Sequence, residues 1–179
     1  KGVVEQLLER CGVAARFERS EEPYLHPGRQ AQVRAGDTFL GVLGEVHPAV
    51  ADAFELDGRR IYVAELDADA LARLATDAVR FASMPRYPSV QRDMALLVPK
   101  AVPAAAVVEA IRSYGGELVE SVELFDVYEG PQVEETHRSL AYSIRLRAKE
   151  RTLTDEQANA IVGEIEKGLE TELGVRRRV

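Results

Sequence analysis

A regular alternation of apolar and polar side chains between residues 139 and 149 is the strongest constraint on the fold of this chain. The apolar set consists of Leu140, Tyr142, Ile144, Leu146 and Ala148. The intervening residues are small, polar or basic, namely Ser139, Ala141, Ser143, Arg145, Arg147 and Lys149. Because side chains along a β-strand point alternately to opposite sides, this pattern predicts a strand with one buried and one open face.

The sequence on either side of this strand predicts a β-α-β-β-α-β order. Strands are expected at 90–98, 118–128, 139–148 and 175–179, with helices after Pro103 and after Thr154. Proline suits the first turn of a helix, and Thr154 with Gln157 has the spacing of a capping box. The order is that of the ferredoxin-like fold, in which two helices cover one face of the sheet and leave the other open.

The upstream part of the chain predicts a second, incomplete antiparallel α+β layer. We expect a helix over 3–11, strands at 14–18, 31–34, 38–46 and 61–66, and short helices over 48–54 and after Asp67. Gly41 and Gly44 lie inside a predicted strand, which indicates either loose packing at a sheet edge or the close approach of another backbone. We favour loose packing.

Two prolines lie between the upstream and the downstream patterns of strands and helices. Pro85 and Pro88 bias the preceding residues toward extended backbone, and the sequence around them has neither helical nor strand period. We therefore predict domains at 1–80 and 90–179, joined by a linker at 81–89. The 179 residues suffice for two small domains. Because the chain begins with Lys1 rather than Met, we expect it to be a piece of a longer protein.

Composition narrows the classes of function. No apolar stretch is long enough to cross a bilayer, and the single cysteine, Cys11, cannot form an internal disulfide, so we expect an intracellular protein. A net charge of −7 argues against nucleic-acid binding, since phosphate contacts need lysine and arginine. However, residues 138–151 contain five basic side chains and a single acidic one, Glu150. Local charge matters more than the total.

The predicted open face combines an aromatic ring, a carboxylate and basic groups. We expect the helices to bury Phe125, which turns Asp126 and Tyr128 outward, and the same alternation places Ala95 and Ser139 on that face. A ring can stack on a base, a carboxylate can accept hydrogen bonds from a base edge, and arginine can bind phosphate. This face therefore suits a single-stranded nucleotide. The alternative is an ordinary solvated surface with a basic strand that resists aggregation.

Five stretches of the sequence resemble the C-terminal region of the bacterial phenylalanyl-tRNA synthetase β chain. They are His26-Pro-Gly-Arg-Gln-Ala31, Gly41-Val-Leu-Gly-Glu-Val-His-Pro48, Tyr87-Pro-Ser-Val-Gln-Arg-Asp-Met-Ala-Leu97, Leu124-Phe-Asp-Val-Tyr-Glu-Gly130 and Arg151-Thr-Leu-Thr-Asp-Glu156. They follow the order of the family and cover nearly the whole chain. The resemblance implies a partial synthetase-like α+β domain without active-site residues, followed by a ferredoxin-fold anticodon-binding domain.

The resemblance also implies RNA contacts. The matching residues are Asp126 and Tyr128 on the second strand, Ala95 and Ser139 on the first and third, and either Arg178 or Arg177 at the end of the chain. To these the strand pattern adds Arg145 and Arg147 as candidate phosphate contacts. The working enzyme of the family is a cytoplasmic heterotetramer of two α and two β chains that charges phenylalanine tRNA using ATP and magnesium, with its active centre on α. We therefore expect this chain to bind the anticodon and support α/β assembly, without a catalytic residue, metal site or cofactor of its own.

Two other functions of a β-α-β-β-α-β unit are conceivable. An acylphosphatase-like hydrolase needs a phosphate cradle with arginine after the first strand, whereas residues 98–103 contain neither glycine nor arginine. A small-molecule regulatory or protein-interaction module without RNA binding is the alternative that we keep, although the glycine expected at its strand-to-helix turn is missing.

Overall fold

A computed structural model describes residues 1–56, 58–76 and 84–178 of the chain. The chain divides into two compact units, Lys1–Phe81 and Ala82–Val179. Of the predicted linker at 81–89, the first three residues lie outside the described residues, as does Val179 at the end of the predicted last strand.

The upstream unit is a four-stranded antiparallel sheet with helices. Its elements are α1 (Gly2–Arg10), β1 (Arg16–Glu18), β2 (Leu25–Ala35), β3 (Thr38–Val46), α2 (Pro48–Ala53), β4 (Tyr62–Leu66) and α3 (Ala68–Leu74), with strand order β1-β2-β3-β4. Val4 and Leu8 of α1 and Ala70 of α3 form a buried cluster with Val33 and Leu40 of the sheet. The predicted elements are therefore present.

Strand β2 begins at Leu25 rather than at the predicted Ala31. Pro27 and Gly28, a pair typical of a turn, lie inside the strand. In the structure the pair is accommodated by an irregularity in the β2–β3 register between Leu25 and Gln30. The strand therefore continues through a sequence that usually ends one.

Gly41 and Gly44 mark close backbone approaches, so the favoured prediction of loose packing is wrong. A Cβ atom at Gly41 would lie 2.0 Å from the carbonyl oxygen of Glu65 on β4, and the residue has a φ of +145°. A Cβ atom at Gly44 would lie 2.8 Å from the carbonyl oxygen of Arg29. Neither position can hold a larger residue unless a neighbouring backbone moves.

The downstream unit has the predicted β-α-β-β-α-β order. Its elements are β5 (Val90–Pro99), α4 (Ala104–Gly115), a short 3-10 turn (Gly116–Leu118), β6 (Val119–Tyr128), β7 (His137–Leu146), α5 (Asp155–Leu173) and β8 (Arg176–Arg177). The strands are antiparallel in the order β6-β7-β5-β8. The α+β class and the ferredoxin-like arrangement are thereby confirmed.

Both helices of this unit pack on the same face of the sheet. All five members of the apolar alternating set are buried in one cluster with Ile111 of α4 and Ile165 and Leu169 of α5. The hydroxyl of Tyr142 donates a hydrogen bond to the carbonyl oxygen of Ala104 at 3.2 Å, and burial raises the pKa of this phenol to about 12. Among the described residues of this unit, no helix covers the opposite face.

The capping box predicted at the start of α5 is present. The Thr154 Oγ1 atom accepts a hydrogen bond from the backbone N–H of Gln157 at 3.3 Å, and Gln157 Oε1 accepts one from the backbone N–H of Thr154 at 3.3 Å. Gly174 ends the helix in a left-handed conformation with a φ of +64°. This turn directs the chain into β8, which adds the final arginines to the sheet.

Replacement of Thr154 by alanine should lower the free energy of unfolding by about 1 kcal/mol, because one backbone N–H of the first turn then loses its acceptor. Urea denaturation of the chain measures this difference. Thr152→Ala is the matched control, since this threonine is exposed and lies just before the cap. Equal stabilities of the two variants would contradict a capping role for Thr154.

Candidate nucleic-acid interface

The open face of the downstream sheet carries four rows of side chains, set by the register of its strands. Directly paired residues on neighbouring strands share a face. The rows are Tyr128–Ser139–Leu97–Arg176, Asp126–Ala141–Ala95–Arg178, Glu123–Ser143–Asp93 and Ser121–Arg145–Gln91. The structure thus brings Asp126, Tyr128, Ala95, Ser139 and Arg178 together in two adjacent rows. Their contact with RNA stays a prediction.

A bulge in β6 places Asp126 and Tyr128 on this face, and the predicted burial of Phe125 is wrong. Leu124 pairs with Tyr142 on the helix-covered side, whereas Asp126 pairs with Ala141 on the open side. Phe125 is the extra residue between these pairs, and it is 55% exposed. Because a bulge shifts the alternation by one residue, Asp126 and Tyr128 face outward although Phe125 is not in the core.

The side chains of Tyr128 and Arg178 are in contact. The guanidinium carbon of Arg178 lies 5.1 Å from the centroid of the Tyr128 ring, within the range of cation–π attraction. Arg178 also donates a hydrogen bond from Nη2 to Gln132 Oε1 at 3.0 Å, and its backbone N–H donates to the carbonyl oxygen of Ala95 at 2.8 Å. An aromatic ring and a positive charge therefore lie together at one end of the face.

The sequence left open whether Arg177 or Arg178 is the candidate RNA contact, and the structure places the two residues on opposite sides of the sheet. Arg177 pairs with Leu96, whose side chain is buried beneath the helices. Its Nη1 atom donates a hydrogen bond to Glu166 Oε1 on α5 at 3.0 Å. Arg178 thus shares the face with Tyr128, whereas Arg177 lies on the helix-covered side.

The two candidate phosphate contacts also differ. Arg145 is exposed in the row farthest from Tyr128, and its side chain makes no hydrogen bond or ion pair with another described residue. Arg147 lies beyond the end of β7 rather than inside the strand, because the chain leaves the sheet after Leu146. Its Nε atom donates to Glu120 Oε1 at 2.9 Å, and its Nη1 atom donates to the carbonyl oxygen of Tyr87. Arg145 is available to a ligand, whereas Arg147 already binds within its own unit.

The charge of the open face is mixed rather than basic. Its acidic side chains are Asp93, Glu123 and Asp126, and its basic side chains are Arg145, Arg176 and Arg178. The sequence analysis did not name Asp93, Glu123 or Arg176 as candidate site residues. The alternation that predicts Ala95 on the open face also places Asp93 there. Carboxylates repel phosphate and accept hydrogen bonds from base amino groups. A nucleotide strand would therefore direct its bases toward the acidic groups and its phosphates toward the arginines.

Three further observations concern the accessibility of Ser139, metal binding and membrane spans. Ser139 is only 4% exposed between Tyr128 and Leu97, which makes it the least accessible of the predicted contacts. Across residues 1–56, 58–76 and 84–178, no group of three or more histidine, cysteine, aspartate or glutamate side chains is arranged to hold a metal ion. None of the described helices has the length and apolar character needed to span a membrane.

Comparison with known proteins assigns both units. The family model of the ferredoxin-fold anticodon binding domain matches residues 85–178. The model of the phenylalanyl tRNA synthetase beta chain CLM domain matches residues 1–68. Each match falls within one of the two compact units.

Three similar proteins are all phenylalanine–tRNA ligase beta subunits. The chain is 46% identical to the phenylalanine–tRNA ligase beta subunit of Moorella thermoacetica over 180 residues, which is 99% of this chain and 22% of that protein. It is 46% identical to the beta subunit of Symbiobacterium thermophilum and 41% identical to that of Clostridium tetani, again over 99% of this chain and over 20% and 23% of those proteins. The chain thus spans about a fifth of the length of these relatives.

These matches confirm the resemblance to the phenylalanyl-tRNA synthetase β chain that the five sequence stretches indicated. The model that covers the downstream unit includes more than half of all residues and the whole of the described open face. The chain belongs to the ferredoxin-fold anticodon binding domain family.

Proposed function

We propose that this chain is the part of a phenylalanyl-tRNA synthetase β subunit that binds the anticodon of phenylalanine tRNA. One observation carries the proposal: the ring of Tyr128, the carboxylate of Asp126 and the guanidinium of Arg178 share the face that the helices leave open. These groups supply stacking, hydrogen-bond acceptance and positive charge, which single-stranded RNA recognition requires together.

Each of these residues has a distinct role in the proposal. Tyr128 stacks on the first anticodon base, and Asp126 accepts hydrogen bonds from the amino and imino groups of its edge. Ala95, in the row of Asp126, leaves space for the base because its side chain is a single methyl group. Ser139 borders the site, and Arg145 binds a phosphate farther along the strand.

The remaining two candidates act within the protein in this proposal. Arg147 fixes the segment before β5 and the start of β6 through Tyr87 and Glu120. Arg177 ties β8 to α5 through Glu166, which fixes the position of the neighbouring Arg178. Both arginines thereby support the interface without contacting RNA.

In this proposal the chain acts as part of a complete α/β enzyme. The names of the relatives and the match of residues 1–68 to the CLM domain support a role of the upstream unit in assembly with an α chain. The assembly is a cytoplasmic heterotetramer of two α and two β chains. It joins phenylalanine to tRNA using ATP and magnesium at the active centre on α, and this chain contributes no catalytic residue.

Replacement of Tyr128 by alanine in the complete α/β enzyme should raise the KM for phenylalanine tRNA about ten- to hundredfold, because a stacked base contributes ~1–3 kcal/mol. The kcat should change little, since the substitution is remote from the active centre on α. Tyr128→Phe keeps the ring and should behave nearly as the unmodified enzyme. Tyr114→Ala, on the helix α4, is the control for loss of an exposed tyrosine. Unchanged charging by Tyr128→Ala would refute the proposal.

Replacement of Arg145 by glutamine should weaken tRNA binding and reduce the salt dependence of the binding constant by about 0.7 on a log–log scale, the value for one phosphate contact with a single strand. Binding titrations at several salt concentrations measure the slope. Arg112→Gln removes an exposed arginine of α4 and should leave the slope unchanged. An identical slope for Arg145→Gln and the unmodified protein would place Arg145 outside the RNA footprint.

Anticodon specificity separates this function from a small-molecule or protein-interaction module. The protein should bind an anticodon stem-loop with the triplet GAA at least about tenfold more tightly than one in which the triplet is changed, because an altered first base still stacks on Tyr128 but loses hydrogen bonds to the Asp126 carboxylate, each worth ~1.5–3 kcal/mol. Equal affinity for the two stem-loops would favour the alternative module.

A further inference from the structure

We propose that the loop between β6 and β7 positions the stacking site, with Gly130 leaving space for the Tyr128 ring and Gln132 holding the Arg178 guanidinium beside it. The inference rests on the proposed function and extends it to two residues to which the sequence analysis assigned no role. Both act through another side chain, so they are positioning residues.

Gly130 is required because of space. A Cβ atom at this position would lie 2.4 Å from the Oη atom and 2.5 Å from the Cζ atom of Tyr128. Such distances are far below van der Waals contact, so any larger residue would push the ring out of its place. The carbonyl oxygen of Gly130 accepts a hydrogen bond from the backbone N–H of Val133 at 2.9 Å, which fixes the backbone against which the ring lies.

Gln132 is required because Arg178 has few other restraints. Strand β8 comprises Arg176 and Arg177, and among the described residues one backbone hydrogen bond, to Ala95, joins Arg178 itself to the sheet. Arg178 is half-buried, and its side chain is held by the ring at 5.1 Å and by the Gln132 Oε1 atom at 3.0 Å. Without this acceptor the guanidinium would sample many rotamers in solvent, and ordering it on binding would lower the affinity.

The two contacts together define what the site recognises. The ring of Tyr128 offers a flat apolar surface, and Gln132 keeps a positive charge at its side. A nucleotide whose base stacks on the ring would therefore meet the guanidinium at the same position, as a partner for its phosphate or base edge. The loop thus holds the Tyr128 ring and the Arg178 guanidinium in their binding positions before RNA binds.

The test for Gln132 uses the complete α/β enzyme and double substitutions. Gln132→Ala should raise the KM for phenylalanine tRNA about three- to tenfold with an unchanged kcat, in line with the modest net contribution of one solvent-accessible hydrogen bond. In an Arg178→Ala background the same substitution should have no further effect. Glu135→Gln, an exposed position on the same loop, should leave the KM unchanged. An unchanged KM for Gln132→Ala, or an equal increase in both backgrounds, would overturn the role of Gln132.

The test for Gly130 follows the same logic. Gly130→Ala should raise the KM for tRNA about tenfold, and it should add nothing in a Tyr128→Ala background, where the ring is absent. The thermal unfolding midpoint of each variant shows whether the fold is intact. A full additional effect of Gly130→Ala in the Tyr128→Ala background would overturn the role of Gly130. If Gly130→Ala does not fold, the Gln132 series decides the inference.

Tyr128→Ala, measured in parallel, separates failure of this inference from failure of the proposed function. If Tyr128→Ala raises the KM while Gln132→Ala and Gly130→Ala do not, the loop has no positioning role and the anticodon proposal stands. If Tyr128→Ala leaves the KM unchanged, the proposed function fails, and the inference fails with it.

Discussion

The burial of one side of the downstream sheet against α4 and α5 is the interaction on which the rest of this unit depends. Tyr142, Ile144 and Leu146 of the central strand β7 are fully enclosed, and the helices contribute Ile111 and Ile165 to the same cluster. Because apolar burial fixes which side of each strand faces the helices, it also fixes the residues that remain for a ligand. The recognition surface is thus determined by the core beneath it.

The distribution of charge explains how a chain with a net charge of −7 can be proposed to bind RNA. Arg147 and Arg177 are neutralised within the fold by Glu120 and Glu166, whereas the Arg145 side chain on the open face has no acidic partner among the described residues. Arg147 and Arg177 therefore stabilise the fold, whereas the charge of Arg145 is available to a ligand. In the proposed complex, carboxylates in the middle of the face would restrict phosphates to its ends, which favours an ordered path of the RNA strand over non-specific attraction.

Much of the fold was predictable from local sequence patterns. The alternation of β7, the capping box at Thr154 and the cap at Asp67 depend on residues close in sequence, and all three are present in the structure. The error at Gly41 and the open choice between Arg177 and Arg178 depend on pairing between distant strands, whereas the error at Phe125 arises from a bulge in β6. The register of β8 against β5 separates Arg178 from Arg177, and the backbone of β4 explains Gly41. Gln132 lies in a loop without periodicity, so only the structure relates it to Arg178.

The bulge at Phe125 has a consequence for how such a surface can change during evolution. Because Leu124 pairs with Tyr142 and Asp126 with Ala141, loss of the extra residue would straighten the strand and leave both side chains on their present sides. Loss of a residue between Asp126 and Tyr128 would instead turn the Tyr128 ring toward the helix-covered side. A change in the length of β6 can therefore preserve or abolish the polar surface, depending on which side of Asp126 it occurs.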